Sequence, residues 1–165
     1  MATSHEIEIG GQQGWFHDDN FPNGNFHTFD QWKAEGYSDR KIQIFLPKDY
    51  PAMATEDALF SASRYPVIFT NDGQDVFFPL DNCLNFASIL GNVCEESRRE
   101  YPDIAVIQPI VVAVFATENR DDEYTHEQVD EGVGGKLAEY CSYICDVSFS
   151  FFLLYVHCQP NSYYE

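Results

Sequence analysis

Apolar and polar residues alternate along Lys41-Ile42-Gln43-Ile44-Phe45-Leu46 until the run meets Pro47. This predicts a strand that ends at a residue with no backbone donor. Pro66-Val67-Ile68-Phe69-Thr70 is continuously apolar and stops at Asn71-Asp72-Gly73, which reads as a strand buried on both faces. Apolar positions at Leu84, Ala87, Leu90, Val93 and Cys94 carry helical spacing. They predict a helix over residues 82–100, with Asp81 or Asn82 as N-cap and Tyr101-Pro102 as the stop. Ile110-Val111-Val112-Ala113-Val114-Phe115 is the strongest buried-strand signal in the chain. After an acidic loop and Gly134-Gly135, a second helical run extends from Lys136 through Val147. Residues 10–30 are rich in Gly, Asn, Asp and aromatics, and read as loops with short edge strands.

The resulting order is strand, strand, helix, strand, helix, so the expected fold class is α/β, with crossover helices and a mostly parallel sheet. Ligands of such sheets collect at the carboxyl ends of the strands. Two segments fall there: Asn71 to Gln74, and Thr117 to Thr125. Asp72-Gly73 is open to two readings, a simple turn or a glycine that lets backbone N–H groups approach a ligand. The acidic loop is either a solvated turn or one wall of a cleft, with Arg120 among Asp121, Asp122 and Glu123, next to Tyr124.

The 165 residues allow one domain with a real core, and 44% apolar and 16% aromatic content excludes a disordered chain. A formal charge of −18, from 9 Lys+Arg against 27 Asp+Glu, disfavours nucleic acid and anionic membrane surfaces as partners. Five cysteines at irregular spacing point to reduced thiols and a cytoplasmic location rather than to a disulfide framework. The N-terminal residues show no secretory signal, and the apolar run from Phe149 to Cys158 is too short to cross a bilayer.

Other chemistry is weaker. Cys141 and Cys145 share a helix face and, with His157 and Cys158, suggest a zinc set, but the spacing matches no standard site and favours buried apolar thiols. Asp19, Asn23, Gly24 and Asp30 echo a calcium loop, with Phe21 at a ligand position, so the segment reads as turns. His126 and the His157-Cys158 pair have no evident orienting partner for nucleophilic catalysis. The reading therefore includes no metal, no cofactor and no catalytic residue.

Four segments carry a family resemblance. Tyr65-Pro66-Val67-Ile68-Phe69 with Asp72-Gly73-Gln74-Asp75-Val76-Phe77 resembles the YPVLY..DGQ..F segment of the enterochelin-esterase and esterase D-like serine hydrolases. Arg40 to Tyr50 is similar to that family's preceding strand and its LP..Y exit, and Arg120 to Thr125 to its R..EYT segment. Gly134-Gly135-Lys136 with Tyr140 resembles the start of the following helix.

The resemblance spans about residues 40–145 and implies the front part of an α/β-hydrolase fold. It also implies a small-molecule ester substrate, serine acylation and an oxyanion hole. By that resemblance Asp72, Gly73 and Gln74 form the oxyanion-side loop, and Arg120, Asp122, Glu123 and Tyr124 line the substrate pocket. The family's Gly-x-Ser-x-Gly elbow does not occur in this sequence, and the likeness stops after Asp146. The chain is thus expected to comprise a loop-rich segment at 1–39, a partial hydrolase domain at 40–147 truncated before the nucleophile elbow, and a divergent apolar tail at 148–165. The expected function is an esterase fragment that is inactive alone. The rival is a non-catalytic acidic interaction or regulatory module, and the pattern specifies no oligomeric state.

Overall fold

A hairpin opens the chain. Glu6-Ile7-Glu8-Ile9 alternates polar and apolar, and Gly10 and Gly11 follow with φ of 58° and 77°. Positive φ at both central residues is the type I′ geometry whose twist matches that of paired strands, and glycine adopts it without a Cβ penalty. The computed structural model describes residues 3–18, 24–48, 50, 65–77, 86–130 and 133–151. In it β1 (Thr3–Ile9), β2 (Gln12–Asp18), β3 (Gly24–Trp32) and β4 (Arg40–Pro47) pair successively as an antiparallel meander.

The sheet continues through β6 (Ile110–Val114), antiparallel to β4, and ends at β5 (Val67–Thr70), which runs parallel to β6. The order is β1-β2-β3-β4-β6-β5, with β7 (Gln128–Asp130) and β8 (Val133–Gly134) forming a separate two-stranded ribbon. Among the described residues three α-helices accompany the strands: α1 (Phe86–Glu100), the single turn α2 (Arg120–Glu123) and α3 (Leu137–Phe151).

This overturns the expected fold class. The partial α/β-hydrolase fold with a mostly parallel sheet is replaced, among the described residues, by a six-stranded mixed sheet in which only β5 and β6 are parallel. The discrepancy arises in the first third of the chain. The segment read there as loop-rich with short edge strands supplies three full strands that pair in succession, and antiparallel neighbours need no crossover helix. β5 also departs from expectation: it lies at the sheet's margin with all four residues half-buried, not buried on both faces.

The pleat of β4 and β6 divides the core in two. Ile42, Ile44, Leu46, Ile110, Val112 and Val114 face a cluster that includes Phe29, Trp32 and, from α3, Tyr143 and Val147. The alternate residues Phe45, Val111 and Ala113 pack on the other face with Phe26 and Phe77, against Phe86 and Leu90 of α1. Both helices thus cover apolar sheet faces. Helix α3 runs through the 147/148 boundary to Phe151, and the rest of the apolar tail lies outside the described residues. Asp81, Asn82 and Leu84 also lie outside them, as do Asp19, Phe21, Asn23, His157 and Cys158. Gly24 and Asp30, which suggested a calcium loop, belong to β3. Contrary to the expectation of buried thiols, Cys141 and Cys145 are exposed on α3, whereas Cys94 is buried.

Candidate functional site

Because β5 and β6 run parallel, with Thr70 opposite Ala113, the segments that follow them emerge at one end of the sheet. The first segment makes an abrupt turn. Asp72 has φ 53° and ψ 48°, the left-handed region, and is the non-glycine residue with positive φ among those described. A 3-10 turn over Gly73–Asp75 follows, closed by the Asp75 N–H donating to the Asp72 carbonyl at 2.9 Å. Asp and Asn tolerate the left-handed region better than other side chains, which suits Asp72 to this turn.

Gly73 has a definite packing reason. A Cβ there would come within 2.6 Å of the Phe115 ring and 3.0 Å of the Ala113 backbone. The space beside this glycine is therefore filled by β6 and its exit residue, not reserved for a ligand. The far end of the loop is tied to α1 by the Phe86 N–H, which donates to the Val76 carbonyl at 3.0 Å.

Side chains join the two segments. Arg120 Nε donates to Asp72 Oδ1 at 2.8 Å and Nη2 to Oδ2 at 2.9 Å, a two-armed ion pair. Gln74 donates to Asp72 Oδ1 at 3.3 Å and accepts from the Ala116 N–H at 3.3 Å. The Tyr124 hydroxyl reaches Asp72 Oδ1 at 3.4 Å, and the Arg120 guanidinium lies 4.9 Å from the Tyr124 ring centre. From α3, the Tyr140 hydroxyl donates to Asn71 Oδ1 at 2.6 Å. Its ring meets Tyr124 edge-on at 5.2 Å.

Beneath this layer lies a second pair. Arg40, the first residue of β4, clasps Glu123 with both guanidinium arms, and Nη1 to Oε2 measures 2.9 Å. Both residues are buried, at 7% exposure each. The Thr117 hydroxyl donates to Glu123 Oε1 at 2.9 Å. The Arg40 guanidinium also lies 5.2 Å from the Tyr140 ring and 4.9 Å from that of Tyr143.

The electrostatics follow from these contacts. The Arg120 hydrogen bonds hold the Asp72 carboxyl below its ordinary value, outweighing partial burial. Burial pushes Glu123 up, but the bonds from Arg40 and Thr117 and the Arg40 charge more than reverse it, leaving the group lowered. Burial opposes the charge on Arg40 as well, and Glu123 more than restores it. Burial raises Tyr124, Tyr140 and Tyr143. At neutral pH the cluster therefore holds ionised carboxylates, protonated tyrosines and charged arginines. It braces the two loops, and none of these groups is poised to exchange a proton near neutrality.

The structure thus brings together Asp72, Gly73, Gln74, Arg120, Glu123 and Tyr124. Asp72–Gln74 follow a strand at the sheet's margin rather than a central one. Asp122 turns elsewhere: its Oδ1 accepts from the Gly134 N–H at 2.6 Å and its Oδ2 lies 3.6 Å from Lys136 Nζ, so it anchors the segment leading into α3. His126 is exposed and takes no part in the described cluster. Sequence reasoning placed Asn71 and Thr117 in the two strand-end segments, and Arg40 and Tyr140 in segments of the resemblance, but named none of the four as a site residue. For Arg40 the available signal was its place in an Arg40-Lys41 pair at the head of a strand, in a chain poor in cations. A cavity of about 60 Å³ beside Arg40, Glu123 and Tyr140 is too small for an ester.

No protein-family model matches the chain, and no curated protein matches it. Among solved structures, the crystal structure of the BES protein from Bacillus cereus is similar at 17% identity and a TM-score of 0.49. The match covers 76% of this chain and 45% of that one, so this chain spans less than half the length of the structure it matches. Among the described residues no helix is long and apolar enough to cross a membrane.

Proposed function

We propose that this chain supplies one wall of a carboxylic-ester hydrolase site and, by itself, does not turn over esters. The observation that carries the reading is the convergence of residues 71–77 and 115–125 at the shared end of β5 and β6, locked by Arg120 on Asp72. Two of the segments that resemble enterochelin-esterase and esterase D-like enzymes lie in that wall. In this reading Asp72–Gln74 stand on the oxyanion side, and Arg120 and Tyr124 face the substrate. Glu123 holds Arg40 from below, and Asp122 fixes the exit toward α3. Neither carboxylate of the cluster is free to act as a base, and the sequence contains no Gly-x-Ser-x-Gly.

The test combines p-nitrophenyl acetate hydrolysis with a serine-directed fluorophosphonate probe. Background rates and no stoichiometric label are expected. Labelling of one serine per chain, with turnover, overturns the inactive half of the proposal.

The paired state of Asp72 and Glu123 favours a second reading, a non-catalytic acidic module. It is distinguished by salt-sensitive binding to a basic protein surface that survives Arg120→Ala.

A further inference from the structure

The outer face of the opening meander holds a site of a different kind. On β1 and β2, Glu6 lies opposite Trp15 and Glu8 opposite Gln13, so these four side chains share one face. The intervening Ile7 and Ile9 are buried in the core. Trp15 in turn lies opposite Thr28 of β3. Past Thr28 the strand bulges: Phe29 pairs with Ile42 and Trp32 with Arg40, so Asp30 and Gln31 together oppose Lys41. A bulge of this kind re-aims side chains, and here two consecutive polar residues are both exposed. The result is a cavity of about 510 Å³ lined by Glu6, Gln13, Trp15, Asp30, Gln31 and Lys33. Its size falls within the range of about 300–1,000 Å³ usual for small-molecule sites.

The lining is held in place. The Gln12 side chain both donates to the Lys33 carbonyl (3.0 Å) and accepts from the Lys33 N–H (2.9 Å), stitching one rim. Gln13 donates to Glu8 at 2.6 Å, and Lys41 pairs with Asp30 at 3.1 Å. Trp15 nevertheless remains 39% exposed, whereas Trp32 is 1% exposed in the core. An indole left half in water, beside a carboxylate and carboxamides, fits a ligand with one apolar face and a polar rim.

From this arrangement we infer that the β1–β3 face is a binding site for a neutral saccharide, with Trp15 as the stacking platform for a pyranose ring. Glu6 accepts from its hydroxyls, and Gln13 and Gln31 accept from and donate to them. Charge separates this ligand class from its rivals. Lys41 pairs with Asp30, and the other charged groups of the lining, Glu6 and Lys33, are of opposite sign, so the lining presents no excess charge to select a cation or a phosphate. Capture of a quaternary ammonium relies on an aromatic cage, and this cavity offers a single ring. The inference is independent of the ester-hydrolase reading, so either can fail without the other.

The experiment titrates the full chain with cellohexaose, xylohexaose and chitohexaose, following indole fluorescence and heat. Trp15 and Trp32 are the two tryptophans, so a surface event reports through Trp15 while Trp32 marks the intact core. Saturable binding of at least one hexasaccharide, with Kd at or below about 1 mM, is expected. Trp15→Ala should weaken it by about tenfold or more, and Trp15→Phe by less. Gln31→Ala, at an exposed position, should weaken it several-fold and keeps the test decisive should Trp15→Ala not fold. Three results overturn the inference: no binding up to about 10 mM of any of the three, binding unchanged in Trp15→Ala and Gln31→Ala, or Trp15-dependent binding of tetramethylammonium alone.

Discussion

Arg120 holds Asp72 with two hydrogen bonds, 2.8 and 2.9 Å long, across 48 residues of chain. Asp72 occupies the left-handed region and Arg120 opens the single turn α2, so the pair fixes the relative position of the two strand-end loops. Half of the Arg120 side chain is exposed, so solvent screens the pair, and its consequence is local order more than global stability. Asp72→Asn should lower the melting temperature slightly and raise amide exchange across residues 71–77, with the difference shrinking at about 1 M salt. Asp72→Ala should cost about 1 kcal/mol more than Asp72→Asn, because alanine tolerates the left-handed backbone poorly. Equal melting curves for the two variants would remove the backbone part of this argument.

The buried pair of Arg40 and Glu123 calls for a larger effect. Arg40→Ala leaves the Glu123 carboxylate buried without its main partner, and a loss of about 3–5 kcal/mol is expected by urea unfolding. Replacing both together, Arg40→Met with Glu123→Leu, should recover most of that loss, since no lone charge remains buried. A double variant as unstable as Arg40→Ala would show that the pair is held by something other than mutual neutralisation.

Both carboxyls are lowered in the folded state relative to their ordinary values. The unfolded chain therefore takes up protons before the native one as pH falls. The stabilisation is complete above the ordinary carboxyl range, about pH 4, and is lost as pH drops through the lower native values. Urea unfolding from pH 7 downward should show stability falling in that acid window. In Asp72→Asn the fall should be shallower, and an unchanged slope would contradict the assignment.

Gly73→Ala tests the close approach at the site. Its Cβ would meet the Phe115 ring at 2.6 Å, so a cost of about 1–3 kcal/mol is expected. Combining it with Phe115→Ala should cost less than the sum of the two single changes, because the second removes the obstacle. Strict additivity would place the penalty elsewhere.

Several features of this protein were legible in the chain before any coordinates. The unbroken apolar run at 110–114 is a strand buried along its whole length, and of the apolar face read over 84–94, Leu90 and Cys94 turn inward on α1 while Val93 is 52% exposed. The strand that carries Ile42 and Ile44 ends at Pro47 as its pattern requires. These are local signals: side-chain period and turn chemistry act over a few residues, so a sequence displays them directly. The opening hairpin was equally local. Gly10-Gly11 behind alternating Ile7 and Ile9 is a hairpin signal that a reading based on the glycine and asparagine content of residues 10–30 passes over.

Tertiary structure alone decided the rest. Whether β5 lies inside the sheet or at its margin depends on which strands pair, and pairing joins residues far apart in sequence; four half-buried positions are as apolar as four buried ones. That β6 joins the meander antiparallel to β4 follows from which strands pair rather than from anything within either strand. The role of Arg40 is fixed by Glu123, 83 residues away, because burial makes a lone charge costly and a paired one tolerable. Trp15 and Trp32 are the same residue type on neighbouring strands, yet one is packed in the core and the other faces the 510 Å³ cavity. Strand pleat, register and a single bulge assign them to different faces, and those are properties of the assembled sheet.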